Sequence, residues 1–211
     1  DLFMYKMMIT LLCIFTLLGS PAMSETTSDW FNKAQALSDG EKFSDPQKAI
    51  EYLNNAIRLQ PNDAEAYYNR GIAYDNLGRH QQAIKDYSQN VRLKPDYAEA
   101  FHNRGTLYNT TGQYQLAIAD FNESIRINPG EADNYIGLGF AYDQLGQHQQ
   151  AITEYSKAIA LKPDNARAYN NRGADYLSLG NHQYGCLDAK KACELGNCKL
   201  HKIAEKQGVC R

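Results

Sequence analysis

Four positions recur along this 211-residue chain at a spacing of 34. Gly71, Gly105, Gly139 and Gly173 form one series, and Tyr74, Tyr108, Tyr142 and Tyr176 a second. Gly78, Gly112, Gly146 and Gly180 form a third, and Pro61, Pro95, Pro129 and Pro163 a fourth. A fixed period of this length means stacked supersecondary units, none of which can bury its apolar face alone, and so predicts a solenoid.

The unit reads as two helices. In AEAYYNRGIAYDNLG, Tyr67, Gly71, Tyr74 and Leu77 follow the three-and-four spacing of one helix face, and Gly78 ends the segment. In HQQAIKDYSQNVRLKP, Ala83, Ile84, Tyr87, Val91 and Leu93 repeat the pattern, and Pro95, which has no amide to donate, stops it. Gly71 and Ala83 lie 12 apart, as do Gly105 and Ala117, and Gly139 and Ala151. Each pair suits a close helix crossing, with the rings of Tyr87, Phe121 and Tyr155 filling the space beside it.

On these residues the chain resembles the tetratricopeptide repeat family from Ser28 to Gly196. The resemblance implies an all-α fold, a right-handed α-α superhelix of about five helix-turn-helix units plus a C-terminal capping helix. The units are expected at 28–63, 64–97, 98–131, 132–165 and 166–196, with a capping tail at 197–211. The first unit is degenerate: Ala34 and Ala49 lie 15 apart, which predicts a longer inner turn. The last has Gly185 and Ala189 where Ala and an aromatic are expected, and Asn197 in place of its proline.

Residues 1–24 read as a secretory signal peptide. Lys6 precedes the short apolar run Met7 to Leu18, and the small residues of GSPAMSET suit cleavage after Ala22 or Ser24. The run is shorter than the roughly 20 apolar residues of a membrane span. Met4, Met7 and Met8 are alternative starts. The expected compartment is therefore secreted or periplasmic, with no stable span after cleavage.

Export permits Cys186, Cys193, Cys198 and Cys210 to pair. Cys186 and Cys193 occupy apolar repeat positions that a following unit would cover. LHKIAEKQG reads as a short helix, stopped by Gly208, that folds back antiparallel on the helix before it. That arrangement predicts Cys193 with Cys198 and Cys186 with Cys210, because the crossed pairing would exceed the roughly 4.4–6.8 Å between disulfide Cα atoms. A four-thiolate zinc site and four free thiols are the alternatives. The cysteine spacings of 7, 5 and 12 include no Cys-x-x-Cys hairpin.

Neither catalysis nor nucleic-acid binding is indicated. Gly-x-Ser-x-Gly, His-Glu-x-x-His and a phosphate loop after a strand are missing, and His80, His148 and His182 share one repeat position, as consensus residues do. The chain is expected to be a non-enzyme without metal or cofactor. Its formal net charge is −2, with 22 Lys and Arg against 24 Asp and Glu and no concentrated basic stripe.

The resemblance implies a concave peptide groove lined by the first helix of each unit. Carried over position by position, it names Glu65, Tyr68, Asn69, Ile72 and Asp75 in the first full unit, and Glu99, His102, Asn103 and Asn109 in the second. In the third and fourth it names Asp133, Ile136, Phe140, Asp143 and Asn171. The groove is expected to be acidic, with asparagines able to donate to and accept from a peptide backbone. The same asparagines are equally well read as solvated helix residues, and the acids as favourable near helix starts. A further pattern is structural: Arg70, Arg104 and Arg172 each precede an aspartate by 16 residues, at Asp86, Asp120 and Asp188, which predicts a repeated ion pair across the helix pair. In the remaining unit Leu138 and Glu154 stand at those places.

The function these readings predict is protein or peptide binding in an exported compartment by a monomer or weak oligomer. The alternative is a structural protein that self-assembles through its terminal or convex surface.

Overall fold

The computed structural model describes residues 25–40 and 42–210. The expected signal segment lies outside the described residues. Among those described, the elements are eleven helices. They are α1 (Thr27–Gln35), α2 (Pro46–Leu59), α3 (Ala64–Asn76), α4 (His80–Leu93), α5 (Ala98–Thr110), α6 (Tyr114–Ile127), α7 (Ala132–Gln144), α8 (His148–Leu161), α9 (Ala166–Ser178), α10 (His182–Glu194) and α11 (Lys199–Lys206).

Local chemistry sets the helix ends. Asp63 caps α3 through its side chain, which accepts from the Ala66 amide, and Asn165 caps α9 by accepting from Arg167 and Ala168. Thr26 and Asp29 close a reciprocal capping box on α1. Gly78, Gly112, Gly146 and Gly180 lie just past the first helices with φ between +68° and +76°, left-handed conformations that a side chain disfavours.

The helices of each unit pack on one another, and each second helix packs on the first helix of the following unit. First helices α5 and α7 also touch across units, as do α7 and α9, whereas no two second helices approach to that extent. The first helices therefore lie on the inside of the curve. In the three middle units the crossing glycine faces a buried ring: a Cβ at Gly71 would sit 2.6 Å from Tyr87, one at Gly105 3.3 Å from Phe121 and one at Gly139 2.7 Å from Tyr155. Leu53, Tyr87, Phe121 and Tyr155 are the large apolar anchors of the core.

The two ends close differently. The long inner turn of the first unit folds back through an antiparallel bridge between Ser38 and Phe43, and the buried Phe43 donates its amide to Asn76 Oδ1 at 2.9 Å. At the other end α11 packs on α10 and α9, in the place a next first helix would take, with Leu200 lying over Gly173. Cys186 is bonded to Cys210 with Cα atoms 5.5 Å apart, and Cys193 to Cys198 at 3.9 Å. The two bridges tie the start and end of this cap to α10.

Candidate functional site

Among the described residues, three hollows follow one another along the inner face. The first, about 270 Å³, lies between the long turn at Gly40 and residues Tyr68, Asp75 and Asn103. The second, about 250 Å³, lies between Tyr68, Glu99, His102 and Asn134. The third and largest, about 770 Å³, is a cleft between α5, α7 and α9 with a floor of Phe121, Phe140 and Tyr114. Its polar wall is formed by Asn109, Asp133, Arg167 and Asn171.

The size of that cleft comes from one substitution in the repeat. Where the other units have Asn69, Asn103 and Asn171, the third has Gly137, and a Cβ there would overlap the ring of Phe121. Phe121 is itself buried against Gly105. The missing side chain lets the ring sit against the α7 backbone and leaves space above it.

Several polar residues of the inner face are already engaged within the protein. Asn69 donates to the Glu65 carbonyl at 2.8 Å and accepts from Gln35 at 3.3 Å. Asn103 donates to the Tyr68 hydroxyl at 3.1 Å, and Tyr68 packs edge-on against Tyr97. Asn109 donates to the Gly137 carbonyl at 2.9 Å, a link between units, while its own buried carbonyl oxygen accepts no hydrogen bond. His102 Nδ1 lies 2.7 Å from Asn134 Oδ1, tying α5 to α7, and its ring stands edge-on to Phe121. Asn171 borders the cleft and receives a 3.4 Å contact from Asn170.

The expected apolar residues differ in exposure. Ile72 lines the first hollow and Ile136 the third, but at 8 % and 2 % exposure both are also core residues. Phe140, at 37 %, is the more exposed residue on the cleft floor. The groove is also less acidic than expected over α7, because Arg167 of the next unit donates to Asp133 at 3.1 Å. Glu65 and Glu99 are exposed, and Asp75 is paired with His80 at 3.1 Å.

Asp143 belongs to a different constellation. His148 Nδ1 lies 3.2 Å from Asp143 and 2.7 Å from Asp175 of the following unit. Burial, and after it the neighbouring Asp143 carboxyl, push the Asp175 carboxyl up to about 7, against the pull of His148. The sequence signal was present and passed over: Asp175 occupies the repeat position of Ala73, Leu107 and Ala141, all buried and apolar.

Behind the groove the guanidinium groups form a ladder. Arg70 donates through Nε and Nη2 to Asp86, both at 2.7 Å, and Arg104 does the same to Asp120. Arg172 reaches Asp188 at 2.7 and 2.9 Å. Each arginine spends its remaining Nη1 on the preceding unit, at Asn54, Ser88 and Ser156, so the ladder joins units as well as helices. Where Leu138 replaces arginine, Lys157 Nζ donates to Glu154 at 2.8 Å and lies over the Tyr135 ring. The cation comes from the second helix instead of the first.

Models of the TPR repeat match residues 47–78 and 141–180, and of the tetratricopeptide repeat residues 64–97 and 98–131. None of the curated proteins matches the chain at a significant level. Among solved structures, one crystal structure of MamA is 31 % identical over 76 % of this chain and 92 % of its own, with a TM-score of 0.70. MamA from Desulfovibrio magneticus RS-1, beginning at its residue 41, is 28 % identical over 82 % and 97 % respectively, with a TM-score of 0.76. YrrB, a TPR protein with an unusual peptide-binding site, shares the fold at 20 % identity, covering 87 % of this chain and 94 % of its own with a TM-score of 0.77. The repeat models together account for more than half of the chain, and the chain belongs to the tetratricopeptide repeat family.

Proposed function

We propose that the protein is a non-catalytic scaffold whose inner groove binds an extended segment of another protein, with the cleft between α5, α7 and α9 as its main recognition pocket. The observation that carries this reading is the cleft itself. Gly137 opens it, Phe140 and Tyr114 offer apolar surface, and Asn171 with the Asp133–Arg167 pair stands at its polar edge. Such a surface takes one bulky apolar side chain of a peptide and hydrogen-bonds the backbone beside it. Asn69 and Asn103, committed to Gln35 and Tyr68, are secondary to this contact.

The test is affinity capture from the exported fraction of the source cells with the native chain and with Phe140→Ala and Asn171→Ala variants, each checked for native helicity. A partner retained by the native chain and lost by the variants supports the reading. A partner retained equally by all three removes the cleft from it. Self-assembly is the second reading, favoured by the exposure of Tyr184 and Leu187 on α10. A molecular mass that rises with protein concentration, and stops doing so in Leu187→Glu, would establish it.

We further propose that the protein works in an oxidising compartment. The two disulfides of the cap support this, and among the described residues no helix is long and apolar enough to cross a membrane. Mass spectrometry of protein drawn from its own cells under thiol-blocking conditions decides the matter: four modified cysteines in residues 186–210 would refute it.

A further inference from the structure

Among the described residues the buried aspartates fall into two groups. Asp86, Asp120 and Asp188 each have both oxygens bound by a guanidinium group. Asp175, 1 % exposed, has no such partner. Its Oδ1 faces His148 Nδ1 at 2.7 Å, its buried Oδ2 accepts no hydrogen bond, and the adjacent Asp143 carboxylate is another acceptor. A buried carboxylate served on one side only is expensive unless it takes up a proton or a further cation arrives.

The repeat supplies an internal control. His80 and Asp75 reproduce the His148 and Asp143 pair at the same turn two units earlier, 3.1 Å apart, but Leu107 stands where Asp175 would be. One turn of the solenoid has replaced a consensus apolar residue with a third potential ligand. One ligand atom each from Asp143, His148 and Asp175 lie within 4.8 Å of one another. Ligand atoms of a tetrahedral zinc site stand about 3.3 Å apart for metal–ligand distances near 2.0 Å; the imidazole-to-carboxylate distances of 2.7 and 3.2 Å are both shorter, so the groups need open by only about 0.6 and 0.1 Å to admit an ion.

We propose that Asp143, His148 and Asp175 form a site for a divalent transition-metal cation of the zinc type, which clamps the turn between α7 and α8 to α9. Imidazole with two carboxylates suits Zn²⁺ or Mn²⁺, whereas Mg²⁺ and Ca²⁺ take oxygen ligands alone. Three protein ligands leave a fourth position for water or a carboxylate from a bound partner. The ion would supply the cation that Asp175 lacks, neutralise the facing carboxylates and lock two adjacent units in one relative orientation.

The experiment is titration of the untagged, disulfide-bonded chain with Zn²⁺ after chelator treatment, followed by calorimetry and by the melting temperature. Expected are one ion per chain and a saturable rise in melting temperature. Asp175→Leu, which restores the residue type of Leu107, should remove the bound ion and its thermal effect. His148→Gln should weaken binding at least about tenfold, and His80→Gln should leave it unchanged. Absence of one-to-one binding, or binding that survives both Asp175→Leu and His148→Gln, overturns the proposal. The two variants serve as mutual controls, since either can be read if the other fails to fold.

Discussion

The unit 132–165 and its neighbours share a backbone plan but differ in what they place inside it. In units 64–97, 98–131 and 166–196 an arginine of the first helix grips an aspartate of the second and reaches back to the unit before. In unit 132–165 that place is held by the buried Leu138, and Glu154 is served by Lys157 of its own helix. The same unit has Asn134 where others have Ala66, Ala100 and Ala168, and Gly137 where others have asparagine. Two of the deviations shape the inner face: Gly137 lines the cleft of about 770 Å³ and Asn134 the hollow before it, and the same unit supplies Asp143 and His148 of the cluster with Asp175. A repeat protein can keep its stacking with most units on consensus and relax one unit, which is where shape and chemistry become individual.

The strongest way to break this comparison is Arg104→Leu, which copies the third unit's leucine into the second without the compensating lysine. Burial already holds the Asp120 carboxyl above its ordinary value despite Arg104, so its loss of a partner is costly. The expected destabilisation is about 3–5 kcal/mol in urea unfolding, with most of it recovered by the double variant Arg104→Leu, Asp120→Leu. An unchanged unfolding midpoint for the single variant would show that the ladder is incidental.

Next in size is Gly137→Ala. The new methyl group would meet a Phe121 ring that is 1 % exposed and has no room to withdraw. A loss of about 1–3 kcal/mol is expected from overpacking, together with weaker partner capture. Full stability with full binding would contradict the role of Gly137 in shaping the cleft.

Asn134→Ala gives the third full unit the alanine of its neighbours but deprives His102 of its 2.7 Å partner. A cost of about 1 kcal/mol is expected, and a gain in melting temperature would mean that the asparagine is retained at the expense of stability. Smallest of all is Lys157→Ala. Lys157 is 52 % exposed, so its pair with Glu154 should contribute no more than about 1 kcal/mol. A loss as large as that of Arg104→Leu would make the two kinds of clamp equivalent and dissolve the distinction.

Much of the architecture was legible before any coordinates. The 34-residue period, the glycines that end first helices, the prolines after second helices and the small residues at each crossing are local signals, repeated often enough to reinforce one another. The candidate groove was legible only in outline. Tyr68, Glu99, His102, Asn103, Asn109, Asp133, Phe140 and Asn171 do border the hollows of the inner face, but position alone did not reveal that Asn69, Asn103 and Asn109 are tied to other protein atoms. Ile136 has the spacing of a groove residue and lines the third hollow, yet it is only 2 % exposed and is shared with the core.

What the sequence by itself determined is the repeating unit: two helices, their stops, the small-to-large contact between them, and the change of course after Gly196. These features follow from backbone sterics and from side-chain size over short separations. The tertiary structure alone decided which polar groups of different units meet. His102 finds Asn134 across 32 residues, and His148 finds Asp175 across 27. Both contacts depend on the rotation and rise from one unit to the next, which are set by the summed packing of whole helix faces and not by any local motif.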